Sequence, residues 1–272
     1  MSRLFTSSSQ DASLQKSPPH TSPPQASSIP GSAPGKCQAR QLADRLVFIL
    51  LAVLFMAHPA AAQDRRQNEP GKFDFYVLSL SWVPTYCNAA FERAPGQALP
   101  AECGEHAAPF AVHGLWPQYD VGFPEFYRQP TPRLDRNVVA SMLDLMPAPG
   151  LIFTEWDKHG TCSGLSARAY FTSVRKARAL VKIPEEFIEP AEEVTLAPDA
   201  IAEAFANANP GASRASFAIS CDAKRLTEVR VCLGKNLQFH DCEADVVQHS
   251  CRRDQISMPP LHSERKAAAI EH

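Results

Sequence analysis

The chain has 272 residues, with 27 Lys and Arg against 29 Asp and Glu, for a net charge of −2. That balance excludes a long basic groove that grips nucleic acid by its phosphates, so any such contact must be local, through a pocket. Hydrophobic residues make up 44% of the chain, enough for a proper core, but they are unevenly spread.

Residues 1–36 are rich in Ser, Pro, Gln and Gly and almost free of large apolar side chains. Such a stretch buries too little apolar surface to offset the entropy of ordering it, and residues 1–45 read as a disordered extension. An apolar run follows from Leu46 to Ala57, preceded by Arg40 and Arg45 and followed by Ala60, Ala61 and Ala62. A spanning helix needs about 20 apolar residues, and this run is shorter. Residues 46–62 therefore read as the apolar part and cleavage site of a signal peptide, cut after Ala62; the alternative is an uncleaved N-terminal anchor. The long segment ahead of this leader points to a true start downstream of Met1, although no internal Met precedes the run. Residues 63–272 are expected to form one domain.

Phe73–Leu80 alternate and are rich in aromatic and β-branched types, which predicts a strand. Pro84 and residues 92–108 read as loop. Residues 109–115 read as a second strand, and 117–136, with several prolines, as loop. Residues 137–146 have helical apolar spacing with Asn137 as N-cap, and 151–159 can form a short helix. An amphipathic helix spans 166–182, and a shorter one follows Pro198 and stops before Pro210. Strands are expected at 215–221 and 226–233, and the tail to 272 as coil. Strands at both ends with helices gathered between them indicate an α+β domain.

Two segments carry candidate chemistry. The first is Phe110-Ala-Val-His-Gly-Leu-Trp-Pro-Gln-Tyr119 and the second Phe153-Thr-Glu-Trp-Asp-Lys-His-Gly-Thr-Cys162. On a helix Glu155 and His159 share a face at i,i+4, with Lys158 close by. A histidine moves protons near neutral pH, and a lysine can hold a phosphate as a point charge. Gly160 would let a ligand approach the backbone. Blander readings stand beside these. The Glu–Lys–His cluster is often a solvated face, and His113 can be a packed core residue. A zinc-protease motif fails because the position before Glu155 is Thr154. A nucleophilic Cys162 beside His159 is a further alternative, disfavoured where cysteines pair.

Taken together, His113-Gly-Leu-Trp-Pro117 and Glu155-Trp-Asp-Lys-His-Gly-Thr-Cys162 resemble the two signature segments of the ribonuclease T2 family. Ser79–Cys87, Ile219–Cys221 and Glu228–Cys232 resemble its other strands, and the likeness covers residues 73–253. The resemblance implies a central antiparallel β-sheet flanked by helices, with residues 63–272 as a single catalytic domain. It implies an endoribonuclease that cuts single-stranded RNA by transphosphorylation, through a 2′,3′-cyclic phosphate to a 3′-phosphate, with no metal and no cofactor. By the same likeness His159 is the base and His113 the acid, Lys158 faces the phosphorane charge, and Glu155 orients Lys158 or a phosphate proton and helps hold the protonation pattern. DNA lacks the 2′-OH and is expected to be inert.

Trp116 and Phe123 are implied to sandwich the base 5′ to the cut, with Gln118 reading its edge and little base specificity. Many family members carry a histidine where this chain has Thr154, so a weaker phosphate grip is expected there. The resemblance also implies disulfides Cys87–Cys103, Cys221–Cys251 and Cys232–Cys242. The usual partner of the signature's last cysteine is missing from residues 117–150, which makes Cys162 the free thiol. A leader with paired cysteines places the mature chain in the periplasm or outside the cell. It is expected there as a monomer without stable membrane association.

Overall fold

The computed structural model describes residues 69–104, 107–127, 133–188 and 190–261. The N-terminal extension, the apolar run and the cleavage site lie outside the described residues, as does Cys37. Four strands, β1 (Phe75–Trp82), β2 (Phe110–Gln118), β4 (Phe217–Cys221) and β5 (Leu226–Gly234), form one sheet in the order β2-β1-β5-β4. Every neighbouring pair is antiparallel. A separate ribbon pairs β3 (Val194–Leu196) with β6 (Ile256–Met258). The architecture is α+β.

Alternation along the strands divides the residues between two faces. Tyr76, Leu78, Leu80 and Trp82 of β1 meet Val229, Val231 and Leu233 of β5 in the main core. The helices α2 (Arg136–Ala140), α3 (Pro149–Lys158), α4 (Ala167–Leu180) and α5 (Pro198–Ala208) close that side. In α4 the buried Tyr170, Phe171, Val174 and Ala177 form a stripe at helical spacing, and Ser166 caps the helix through the amide of Ala169. The opposite sheet face holds a much smaller cluster of Phe75, Val77, Cys232 and Val246, the last from α6 (Ala244–Gln248). That face is left partly open, and the site lies there.

Several expectations need correction. Pro84 does not open a loop; it sits in the first turn of a helix, α1 (Val83–Arg93). A proline is tolerated there because its missing N–H has no intrahelical partner to lose. Pro149 and Pro198 start α3 and α5 in the same way, so α3 begins two residues before the expected 151. The cap of α2 is Asp135, whose carboxylate accepts from the amide of Asn137. That helix stops at Ala140, and turns carry the chain on to the buried Met142 and Met146. The C-terminal tail contains both α6 and β6 where coil was expected.

Disulfides join Cys87 to Cys103, Cys221 to Cys251 and Cys232 to Cys242, while Cys162 is unpaired and buried. The last two bridges bracket α6 and fasten both of its ends to β4 and β5, so this wall of the open face is held covalently. Each such link stabilises a fold by about 2–4 kcal/mol.

Gly160 plays a packing role. A Cβ there would lie 2.4 Å from Trp156 Cε3 and 3.0 Å from the Tyr170 ring. Gly160→Ala should therefore overpack the junction of α3 and α4 at a cost of about 1–3 kcal/mol. Calorimetry should show Tm falling by about 2–4 °C for each kcal/mol lost. An unchanged Tm would mean that the two rings can move aside freely.

Candidate active site

Residues on the open sheet face come from β1, β2 and β5. β1 contributes the small Val77 and Ser79, β2 contributes Trp116 and Gln118, and β5 contributes Glu228 and Arg230. His113 reaches this face through a β-bulge. The pairing steps from Ser79↔Gly114 to Leu80↔Val112, which makes His113 the extra residue. A bulge re-aims a side chain that regular alternation would turn elsewhere.

From the other side, α3 presents Glu155, with Lys158 and His159 at its end. Glu155 is only 3% exposed. Its Oε2 accepts from Trp116 Nε1 at 2.7 Å, and its Oε1 lies 3.6 Å from His113 Nε2. Gly114 makes this approach possible, because a Cβ there would stand 2.0 Å from Glu155 Oε2. The glycine of the first segment is thus the space filled by the carboxylate of the second.

His113 Nδ1 lies 2.6 Å from Glu228 Oε1, and Glu228 Oε2 accepts from Arg230 Nε and Nη2 at 3.1 and 3.0 Å. The Trp116 ring contacts both imidazoles, with centroids 5.2 Å from His113 and 5.4 Å from His159. Arg230 lies over the same ring at 5.4 Å. His159 is 5% exposed, and Phe123 stands 6.1 Å from it. Lys158 Nζ pairs with Glu125 at 2.9 Å and lies 5.9 Å from the Phe123 ring centroid. The hydrogen bond of Glu155 goes to Trp116 and its ion pair to His113, so it is Glu125, and not Glu155 as expected, that holds Lys158.

These groups surround a cleft of about 500 Å³. It brings together His113, Trp116, Gln118, Phe123, Glu155, Lys158 and His159. Thr154 is not brought in: it is exposed, and its hydroxyl donates to Gly150 O at 3.0 Å within its own helix. Cys162 is also outside the lining. Its thiol packs on Lys158 O at 3.6 Å, and burial pushes its pKa up, so it is a poor nucleophile. Among the described residues, no three His, Cys, Asp or Glu side chains gather as ligands of a metal ion would.

Arg230, Asp245, Val246 and His249 also line the cleft, and sequence reasoning missed their part in it. So too with Glu228, the partner of His113. A signal was present. Glu228 and Arg230 alternate with Val229 and Val231, and two charges on one face of an otherwise apolar strand mark a polar cleft. Asp245 and His249 have i,i+4 spacing at the short helix after Cys242.

The two imidazoles are poised oppositely. Burial works against charge on His113, but the Glu228 hydrogen bond and the charges of Glu228 and Glu155 outweigh it and raise the pKa. At His159 burial, then the charges of Lys158 and His113, push the pKa down to about 3. Burial raises the Glu155 carboxyl despite His113, Trp116 and Lys158.

The sequence model of the ribonuclease T2 family matches residues 73–242, well over half of the chain. The chain belongs to the ribonuclease T2 family. A ribonuclease of Aeromonas hydrophila is 37% identical over 120 residues, covering 44% of this chain and 51% of the relative. A probable ribonuclease of Haemophilus influenzae is 33% identical over 130 residues, 44% of this chain and 47% of the relative. The chain thus spans about half the length of these two curated relatives. Ribonuclease DdI of Dictyostelium discoideum is 28% identical over 233 residues, 76% of this chain and 95% of the relative.

Among solved structures, RNase NT in complex with 5′-AMP has a TM-score of 0.55 at 26% identity, covering 70% of this chain and 99% of that one. An RNase-related protein from Calystegia sepium has a TM-score of 0.56 at 20% identity, covering 70% and 98%, and bears on the fold alone. The T2 fold therefore extends over the sheet and the helices that carry this cleft.

The opposite poise of the histidines is directly measurable. In an NMR titration of the imidazole Cε1–H resonances, His113 should gain its proton above the ordinary value near 6.5, and His159 should stay neutral through pH 5. Two rings titrating together near 6.5 would show that the cleft does not separate them.

Proposed function

We propose that this chain is an endoribonuclease that cleaves single-stranded RNA by metal-independent transphosphorylation. The observation that carries the reading is one cleft lined by two imidazoles in opposite surroundings: His113 meets the Glu228 carboxylate at 2.6 Å, and His159 is buried beside Lys158. The reaction needs both. A base must take the proton of the ribose 2′-OH, and an acid must give one to the 5′-oxygen that leaves. His159, neutral, suits the first task, and His113, held charged by Glu228, suits the second. Attack of the 2′-oxygen on phosphorus expels the 5′-oxygen and forms a 2′,3′-cyclic phosphate. Hydrolysis then reverses the roles: His113 takes a proton from water, and His159 returns one to the 2′-oxygen, leaving a 3′-phosphate.

Negative charge grows on the phosphorane oxygens, and a preplaced cation stabilises it most when water is partly excluded. Lys158 supplies that cation, and its pair with Glu125 has to loosen as phosphate arrives. Glu155 positions His113 and Trp116 through its buried carboxylate. The base 5′ to the cut stacks on Trp116 and Phe123, with Gln118 at its edge; stacking contributes about 1–3 kcal/mol and accepts any base. Thr154 faces away, so the phosphate is held without the extra histidine of many relatives, and its grip is weaker. Three disulfides favour an oxidising compartment. Together with the apolar leader they support a secreted or periplasmic enzyme whose catalytic domain begins near residue 63.

Incubation with single-stranded RNA and matched DNA in excess chelator tests this reading. RNA alone should be cut, with 2′,3′-cyclic ends appearing first. Cleavage of DNA, or a need for divalent cation, would rule the mechanism out. His113→Phe and His159→Phe should each lower kcat by at least about 10²-fold, the low end for lost proton-transfer catalysis. Near-normal rates in either variant would remove that residue from the mechanism.

A further inference from the structure

β5 runs through the middle of the sheet, where a charged side chain is costly unless it is paired. It carries two charges on one face. Glu228 is nearly buried, with its side chain 12% exposed, and each of its oxygens has a different partner. Oε2 takes the guanidinium of Arg230, two residues along the same strand, and Oε1 meets His113 Nδ1 across β1. A carboxylate needed only to neutralise Arg230 would not have to reach a histidine on the far side of the central strand.

We infer that Glu228 is a positioning residue for His113: its carboxylate anchors the Nδ1–H, fixes the ring's rotation and tautomer, and leaves Nε2 to face the cleft as the proton donor. The inference rests on the endoribonuclease reading and names the group behind its acid. The proton balance follows from this tautomer. Nε2 passes its proton to the departing 5′-oxygen, and the ring becomes neutral with the Nδ1–H still held by Glu228. In the hydrolytic step Nε2 takes a proton from the attacking water, and the imidazolium is restored. Neither step moves the proton on Nδ1.

The charged groups facing His113 come from each element around it. β5 supplies Glu228 and Arg230, and α3 supplies Glu155, 3.6 Å from Nε2, and His159. Lys158 at the end of α3, and Asp245 and His249 at α6, line the same cleft. The two carboxylates favour the imidazolium, and Arg230 opposes them. Removing the Glu228 charge leaves Glu155, which is already hydrogen-bonded to Trp116. His113 should then lose its proton at a lower pH.

The experiment compares the full chain with its Glu228→Gln and Glu228→Asp variants, reading kcat and KM against pH on single-stranded RNA and the His113 titration by NMR. Glutamine keeps an acceptor for Nδ1–H while removing the charge and turning the oxygen that accepts from Arg230 into an N–H donor. In Glu228→Gln, KM should stay within about twofold. The alkaline limb of kcat should move down by about one pH unit, a roughly tenfold loss above both limbs that closes at lower pH. Glu228→Asp should show a smaller shift in the same direction, and it carries the test if the glutamine variant does not fold. A loss of kcat equal at every pH, or a His113 titration identical to that of the unaltered chain, overturns the inference. If the unaltered chain cuts no RNA, the ribonuclease reading fails by itself, and the NMR titration still decides whether Glu228 sets the charge on His113.

Discussion

The carboxylate of Glu155 is buried at the one place where β2 has no side chain, and that contact joins the two halves of the site. Glu155 belongs to α3 and Gly114 to β2, and the helix can come this close only because the glycine lacks a Cβ. An ionisable group so deep in the protein must find partners. It finds them in the indole N–H of Trp116 and in the ring of His113, both on the strand it leans against. Those contacts fix where α3 ends relative to the sheet, and so where Lys158 and His159 stand. The residues of the two signature segments are therefore mutually dependent. The glycine admits the carboxylate, the carboxylate orients the tryptophan, and the tryptophan ring contacts both histidines.

Around that joint the electrostatics sort two chemically identical side chains into different states. His113 stands on a strand between two carboxylates, Glu228 and Glu155. His159 stands at a helix end, buried, with the positive charges of Lys158 and His113 as its neighbours. Desolvation disfavours a charge on either ring, but only His113 has the negative neighbours to overcome it. Backbone geometry produces the difference: the bulge brings His113 to Glu228 of β5, while His159 sits at the C-terminal end of α3 beside Lys158.

Local patterns in the sequence were enough for some of this. The stripe of α4, the alternation of β1 and β5 and the α+β order were readable because each rests on neighbours within one element. Boundaries set by a first-turn proline, as at Pro84, were misread because the same residue also opens loops. The ribbon of β3 and β6 was invisible because two three-residue strands gain their meaning only from pairing across about sixty residues. The site divides in the same way. His113, Glu155, Lys158 and His159 lie in contiguous signatures. Glu228 meets His113 across 115 positions of sequence, and only the sheet order brings them together. Thr154, though inside a signature, turns to solvent and bonds its own helix.

The walls of the cleft differ in how they are held. On one side α6 is stapled between Cys232–Cys242 and Cys221–Cys251. The loop carrying Phe123 meets α6 but has no covalent tie of its own within 119–127. Gly122 N–H donates to Asp245 at 3.1 Å, Phe126 N–H donates to Lys158 O at 2.9 Å, and Glu125 pairs with Lys158. Cys162 lies beside this loop, buried and with its thiol unbridged. A hydrogen bond contributes about 0.5–1.5 kcal/mol net, against about 2–4 for a disulfide. The Phe123 side is thus tied down by contacts that can break one at a time, and two of them end on Lys158. Loosening the Lys158–Glu125 pair as phosphate arrives would release part of the same loop. On the proposed mechanism, the residue that supplies the cation also tethers the Phe123 wall, so phosphate binding and base stacking are mechanically linked.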